Sequence, residues 1–217
     1  MSHQENISPN KVKSPDQERL IARQSKRLSW LLRHGAPQVG LAMNPAGWVE
    51  VQALLSHISI DIDELQRIIE GNNKARFQMM GSQIRATQGH SLETTPVTQE
   101  ALERSWEVYS SDSDWIWHAT QAKYLESIRE NGILRGDRSH VHLASSTQSK
   151  VGKRTGAPIV LKVSVERLRG EGQEVFISPN GVILARFVPP NCILSEHDNR
   201  SPRARVARKT ETKTNPF

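Results

Sequence analysis

The spacing of apolar and polar positions divides this chain into a helical first part and a strand-rich second half. Ser14-Pro15-Asp16-Gln17 has the pattern of a helix start, with Ser as N-cap, Pro at the first helical position and Gln three residues after the cap. That helix is expected to run to about His34, with Leu20, Ile21, Leu28, Leu31 and Leu32 on one broad face, and Pro37 prevents its continuation. Gly47-Trp48-Val49 reads as a short extended segment before a helix over 51–57, with Leu54 and Leu55 turned inward. In the next helix Asp61-Ile62-Asp63-Glu64 places acids at the start, Ile62, Leu65, Ile68 and Ile69 recur at helical spacing, and Gly71 stops it. Residues 76–80 and 83–87 then form two short strands about Gly81-Ser82, a hairpin. Three short helices and a hairpin are the order of a winged-helix lobe, a fold that commonly meets nucleic acid.

From 92 to 114 the chain turns polar and reads as a connection, with Thr94-Thr95-Pro96 and Ser110-Ser111-Asp112-Ser113 flanking a short helix. Strands are expected at 115–118, 140–143, 158–165 and 174–177, with a helix over 121–131 that ends at Gly132. Asn180-Gly181, between Phe176-Ile177 and Val182-Ile183-Leu184, is a strong hairpin signal. The fold class that follows is α+β: a helical lobe over 16–91, a connection over 92–114 and a mainly β lobe over 115–197. Residues 1–15 and 198–217 have little apolar to bury and read as disordered. Helices are too sparse for a doubly wound parallel sheet.

Composition narrows the classes. At 217 residues and 36% hydrophobic content, the chain can bury one ordinary core or two small ones. No apolar run approaches the roughly 20 residues of a membrane-spanning helix, and Met1 to Pro15 lacks the apolar centre of a secretory signal, so a cytoplasmic location without membrane attachment is expected. The single cysteine, Cys192, excludes an internal disulfide framework, and its apolar context indicates a buried structural thiol. Of the net charge of +6, residues 198–217 carry +4, from six basic and two acidic residues. That segment suits nonspecific RNA contact as well as it suits a solubilising tail. No Gly-x-Gly-x-x-Gly fingerprint or phosphate-loop lysine is present, and Val151-Gly152-Lys153-Arg154-Thr155-Gly156 is too short to specify a nucleotide. His140 and His142 alternate on one strand face, but no suitable third ligand lies nearby in sequence, so no metal is expected.

The motifs carry more. Leu31-Leu32-Arg33-His34-Gly35 is, alone, an ordinary helix stop, since cations favour the negative end of the helix dipole and glycine takes the cap. It is followed by Asn72-Asn73-Lys74-Ala75-Arg76-Phe77, by Ile84-Arg85-Ala86-Thr87-Gln88-Gly89-His90-Ser91, by His118-Ala119-Thr120 and by Arg138-Ser139-His140-Val141-His142-Leu143. In this order and at these separations they resemble the RNA 2′-phosphotransferase family, over about residues 20–195.

The resemblance implies an N-terminal winged-helix RNA lobe, a C-terminal lobe like those of ADP-ribosyltransferases, and an enzyme that consumes NAD as co-substrate without a metal. It implies a catalytic set of Arg33, His34, Arg76 and Arg138 and NAD contacts from His118, Ala119, Thr120, His140 and His142; separately, Arg85 on the wing-like hairpin, and Lys74, are the candidates to meet an RNA phosphate. The partner is then an RNA bearing a 2′-phosphate, of the tRNA splice-junction type, and the protein is expected to be a monomer. In the implied reaction the phosphate first attacks the nicotinamide ribose of NAD, and an ADP-ribosylated RNA phosphate forms. A ribose hydroxyl then expels the RNA, leaving ADP-ribose 1″,2″-cyclic phosphate. Arginine suits the first step because its guanidinium holds phosphate oxygens in fixed geometry, and histidine suits the second because imidazole titrates near neutrality.

Two positions depart from the family pattern. Ala119 stands where glycine is usual, which crowds NAD if the backbone there approaches it or takes a positive φ. Ala144 stands where serine is usual, and Ser145 is the candidate to replace the missing hydroxyl. Two other functions stay open at this point: an ADP-ribosyltransferase acting on terminal phosphates of nucleic acids, and a winged-helix RNA-binding protein without catalysis.

Overall fold

The structure, a computed structural model, describes residues 15–110, 113–153 and 156–198. The expectations for residues 1–14, the Ser14 cap among them, and for 199–217 lie outside the described residues. The fold is mixed α and β, with antiparallel sheets throughout.

Helix α1 (Pro15–Trp30) buries Leu28, while Leu20, expected on the same face, is 52% exposed. It stops four residues earlier than expected and passes into a wide π-turn, Leu31–Gly35. Helices α2 (Val51–His57) and α3 (Ile62–Glu70) fall where the apolar spacing puts them. A capping box starts α3: Asp61 accepts from the Glu64 backbone, and Glu64 reaches back to the Asp61 N–H. Strands β1 (Val49–Glu50), β2 (Phe77–Met80) and β3 (Gln83–Ala86) form a sheet in the order β1-β3-β2. Leu31, Leu32, Leu54, Leu65, Ile68 and Ile84 fill the core between this sheet and the helices.

The short helix expected within 92–114 is present, but the segment is more than a connection, because it also adds a strand to the sheet of the second half and a share of its core. It contains α4 (Gln99–Glu103) and β4 (Glu107–Val108), whose residues pair with Ile177 and Phe176 of the second half. Val97, Leu102 and Trp106 pack with Phe176, Val182 and Leu184 into a core of their own. Several of its polar residues, Thr95, Gln99 and Glu103 among them, make bonds to other parts of the fold rather than facing solvent, which is why composition alone misreads it.

In the second half, β5 (Trp115–Thr120), β7 (Ile159–Ser164) and β10 (Ile193–Asp198) form one sheet in the order β10-β7-β5. Strands β4, β8 (Val175–Ile177), β9 (Ile183–Ala185) and β6 (Val141–Leu143) form another in that order. Helix α5 (Leu125–Asn131) follows a 3-10 turn over Ala122–Tyr124, and a short α6 (Val165–Gly170) continues directly from β7. Cys192 lies fully buried in the core between the sheets, where burial pushes its thiol pKa up.

Candidate active site

The π-turn after α1 fixes the first two site residues. Leu31 and Leu32 enter the core, so Arg33 and His34 are carried round to the opposite side, and the Ala36 N–H bonds back five residues to the Leu31 carbonyl at 3.0 Å. Gly35 lets the Trp30 ring pack over this turn, because a Cβ there would lie 2.4 Å from the ring. Arg76 is placed by a side-chain-supported turn. Asn72 Oδ1 accepts from the Lys74 N–H at 3.2 Å and from Arg76 Nη1 at 3.1 Å, and the chain passes through Ala75 at φ +42°. From the far half of the molecule, Asn180 donates its amide to the Lys74 carbonyl at 2.9 Å.

The strip Gln88-Gly89-His90-Ser91 joins the remaining parts. The Ser91 N–H bonds to the Arg33 carbonyl at 2.9 Å, and the Ser139 N–H bonds to the His90 carbonyl at 2.8 Å, so one strand-like segment sits between the backbones that carry Arg33 and Arg138. Gly89 has φ +88°, and a Cβ on it would lie 3.4 Å from Arg33 Nε.

These elements surround a cleft of about 890 Å³, whose lining includes Arg33, His34, Lys74, Arg76 and Arg138 together with His118, Ala119, Thr120, His140 and His142. Nε and Nη2 of Arg33 are buried and have no hydrogen-bond partner among the described residues. Burial, then the charges of Arg76 and Arg138, bring the Arg33 pKa down to about 10. Burial also lowers the His34 pKa, helped by Arg33 and Arg138 and opposed by Asp137. Arg138 Nη1 donates to His142 Nδ1 at 2.8 Å; a guanidinium has no acceptor, so the His142 proton sits on Nε2, itself buried and unpartnered among the described residues. Burial pushes the His142 pKa well down, and the neighbouring Arg138 adds to the shift. His118 Nδ1 bonds the His142 carbonyl at 3.0 Å, tying β5 to β6.

Two sequence expectations need correction. Arg85 is 2% exposed and spends its donors on Gln78, the Ala46 carbonyl and Ser105, with its guanidinium 4.5 Å from the Trp48 ring centre, so it offers nothing to an RNA phosphate. Ser145 is exposed and is not among the residues lining the cleft; the bridge between Ala144 and Trp117 fixes the register and leaves Ser145 outside. His140 lines the cleft as a fully buried ring, with Nε2 2.9 Å from Glu103, the ring edge-on to Trp106 at 4.9 Å, and Nδ1 without a partner among the described residues. Ala119 has ordinary strand backbone opposite Val160, and Ala75 is the one described residue other than glycine with positive φ, so only crowding by the methyl remains as a concern. Sequence reasoning gave no role to Gln99, Glu103 or Asn180. The first two sit in a stretch that reads as polar connection, and Asn180 in a hairpin turn.

Among the described residues no group of three or more His, Cys, Asp or Glu is arranged to hold a metal ion, and no helix is long and apolar enough to cross a membrane. Residues 19–186 match the family model described as RNA 2′-phosphotransferase, Tpt1 / KptA family. A probable RNA 2′-phosphotransferase of Burkholderia lata is 35% identical over 193 residues, which cover 85% of this chain and 93% of the relative. One of Streptomyces coelicolor is 35% identical over 180 residues, 80% of this chain and 93% of the relative. A protein named tRNA 2′-phosphotransferase 1 from Danio rerio is 33% identical over 182 residues, 78% of this chain and 80% of the relative. With this extent of match, placed on the cleft just described, the chain belongs to the RNA 2′-phosphotransferase family.

Proposed function

We propose that this protein removes a 2′-phosphate from RNA by transferring it to NAD, with release of nicotinamide and formation of ADP-ribose 1″,2″-cyclic phosphate. The observation that carries the reading is Arg33: a buried guanidinium with unpartnered donors, set beside two further arginines in one cleft. Such a group needs an anion, and a phosphate monoester brings nearly two negative charges and three acceptor oxygens. The helices and hairpin over 15–91 are read as a winged-helix lobe that presents RNA, and the sheets over 115–198 as an ADP-ribosyltransferase-like lobe that holds NAD. The cleft is large enough for a nucleotide beside the phosphate, and the buried, unpartnered His142 Nε2–H and Gln88 Oε1 are the donor and acceptor such a ligand needs.

In the first step the RNA phosphate needs position rather than a base, since its oxygens are already anionic. Arg33, Arg76 and Arg138 aim those oxygens at the ribose carbon from which nicotinamide leaves. In the second, a ribose hydroxyl attacks the phosphorus and the RNA 2′-oxygen departs. His34, kept neutral by burial and by Arg33 and Arg138, accepts the hydroxyl proton and returns it to the leaving oxygen, while the arginines stabilise the charge in flight.

The test incubates the protein with NAD and a short RNA bearing one internal 2′-phosphate, and follows both RNA and nucleotide. Loss of the phosphate together with the cyclic phosphate product supports the full reading. Persistent ADP-ribosylated RNA would instead indicate a transferase that stops after one step, and RNA binding without NAD consumption a non-catalytic binder. His34→Ala is expected to slow release of RNA more than release of nicotinamide, by about 10² to 10⁴-fold for a lost acid–base group; equal slowing of both would reduce His34 to phosphate binding.

A further inference from the structure

Arg138 lies on the irregular connection between α5 and β6; its Nη1 is held by His142 Nδ1 at 2.8 Å, and where the guanidinium sits as a whole depends also on the backbone beneath it. That backbone is gripped from outside its own sheet. Ser139 gives its N–H to the His90 carbonyl at 2.8 Å, and its carbonyl accepts from Gln99 Nε2 at 2.7 Å. The next residue, His140, donates from Nε2 to Glu103 Oε1 at 2.9 Å, its ring locked against Trp106. Gln99 and Glu103 are one helical turn apart on α4, so they share a face, and the Thr98 side chain fixes where that helix begins by accepting from the Ala101 N–H at 3.2 Å. Glu103 is itself held: Arg186, just beyond β9, donates to both its oxygens at 2.6 Å and to Glu100 at 2.8 Å. Burial works to raise the Glu103 pKa, but the bonds from Arg186 and His140 outweigh it, and the carboxylate stays ionised.

We infer that helix α4 is a brace that sets Arg138 against the phosphate, with Gln99 and Glu103 as positioning residues; this rests on the reading that Arg138 meets the substrate phosphate. The sheet's own pairing begins only at Val141, so directional bonds to residues 139 and 140 decide how the chain leaves Arg138. A guanidinium stands several ångströms from its Cα, and a small rotation at Ser139–His140 is magnified at its nitrogens. A misplacement of about 1 Å at a reacting group costs on the order of 10²-fold in rate. Apolar packing of Leu102 and Trp106 keeps α4 in place, but it does not choose between neighbouring orientations of a loop; the hydrogen bonds do.

The test uses the whole chain, measuring kcat and KM with the 2′-phosphorylated RNA and NAD. Glu103→Ala is expected to lower kcat about 10- to 100-fold with the RNA KM nearly unchanged, because the missing interaction matters only when the phosphate is in flight. Glu103→Gln, whose amide oxygen still accepts from His140, keeps most of the activity. The decisive comparison repeats Glu103→Ala in an Arg138→Lys background under single-turnover conditions: the loss shrinks to less than about threefold if Glu103 acts through Arg138. The same fold-loss in both backgrounds, or an unchanged kcat in Glu103→Ala, overturns the inference. Amide exchange over 138–141 should quicken in Glu103→Ala while β5 is unaffected, and uniform quickening would mean general destabilisation, against the inference. If Glu103→Ala does not fold, Gln99→Ala removes one bond and supports the same comparison. A wild-type protein inert toward this RNA would sink the functional reading alone, since the exchange measurement still reports the brace.

Discussion

Ala75 occupies the left-handed region, at φ +42°, immediately before Arg76. An alanine there is strained, and the Asn72 side chain, which accepts from Lys74 and Arg76, holds the turn against that cost. Ala75→Gly should therefore raise stability by about 0.5–1 kcal/mol, read as the urea midpoint; no rise would mean the turn is not strained. At this scale the sequence was informative about identity and poor about neighbours. Arg33, His34, Arg76 and Arg138 are recognisable from short runs, and the structure brings all four to one cleft. Arg85 stood in an equally recognisable run yet is buried against Trp48, because a hairpin residue can face either side and only the packed partner decides which. Glu103 carries no local signal at all. Its partners, His140 and Arg186, are 37 and 83 residues away.

Elements with regular apolar spacing were legible, and those shaped by a single polar contact were not. Helices α2 and α3 and the β2–β3 hairpin follow their patterns closely. Strand β7 was expected to run to Val165, but Ser164 accepts from the Arg167 N–H at 3.2 Å and caps α6, so the chain turns one residue sooner. Strand β10 escaped notice because a register shift between Ile193 and Ser195 breaks its alternation. The loop after β6 shows how tightly such segments can be set. Gly152, at φ +76°, lies so close to the strand end that a Cβ would fall 1.9 Å from the Leu143 carbonyl oxygen. Gly152→Ala must displace backbone beside the cleft, and a loss of at least about 2 kcal/mol is expected in urea unfolding. A neutral result would show that the loop can move away from β6 freely.

At the scale of the whole molecule, the buried histidines couple the fold to acidity. His90 is fully enclosed against Gly47, and burial, then the charges of Arg33 and Arg85, bring its pKa to about 3. In the unfolded chain it titrates near 6.5, so between these values the unfolded state binds the extra proton. Its contribution is fully present above pH 6.5 and is lost as pH falls toward 3, roughly 2 kcal/mol of it by pH 5. The urea midpoint of the wild type should fall between pH 8 and pH 5, and His90→Gln should show a shallower fall; identical slopes would refute the assignment. His118, His140 and His142 are shifted in the same direction by burial and steepen the same dependence.

Strands β5 and β10 run the same way on either side of β7, and Ile159 registers with Thr120 on one side and with Asp198 on the other. Thr120 lines the cleft, so Asp198, at the end of β10, lies two strand spacings, about 10 Å, from that residue. A small environment-sensitive dye carried on Asp198 itself is thereby set beside the cleft wall, near enough to sense what arrives there.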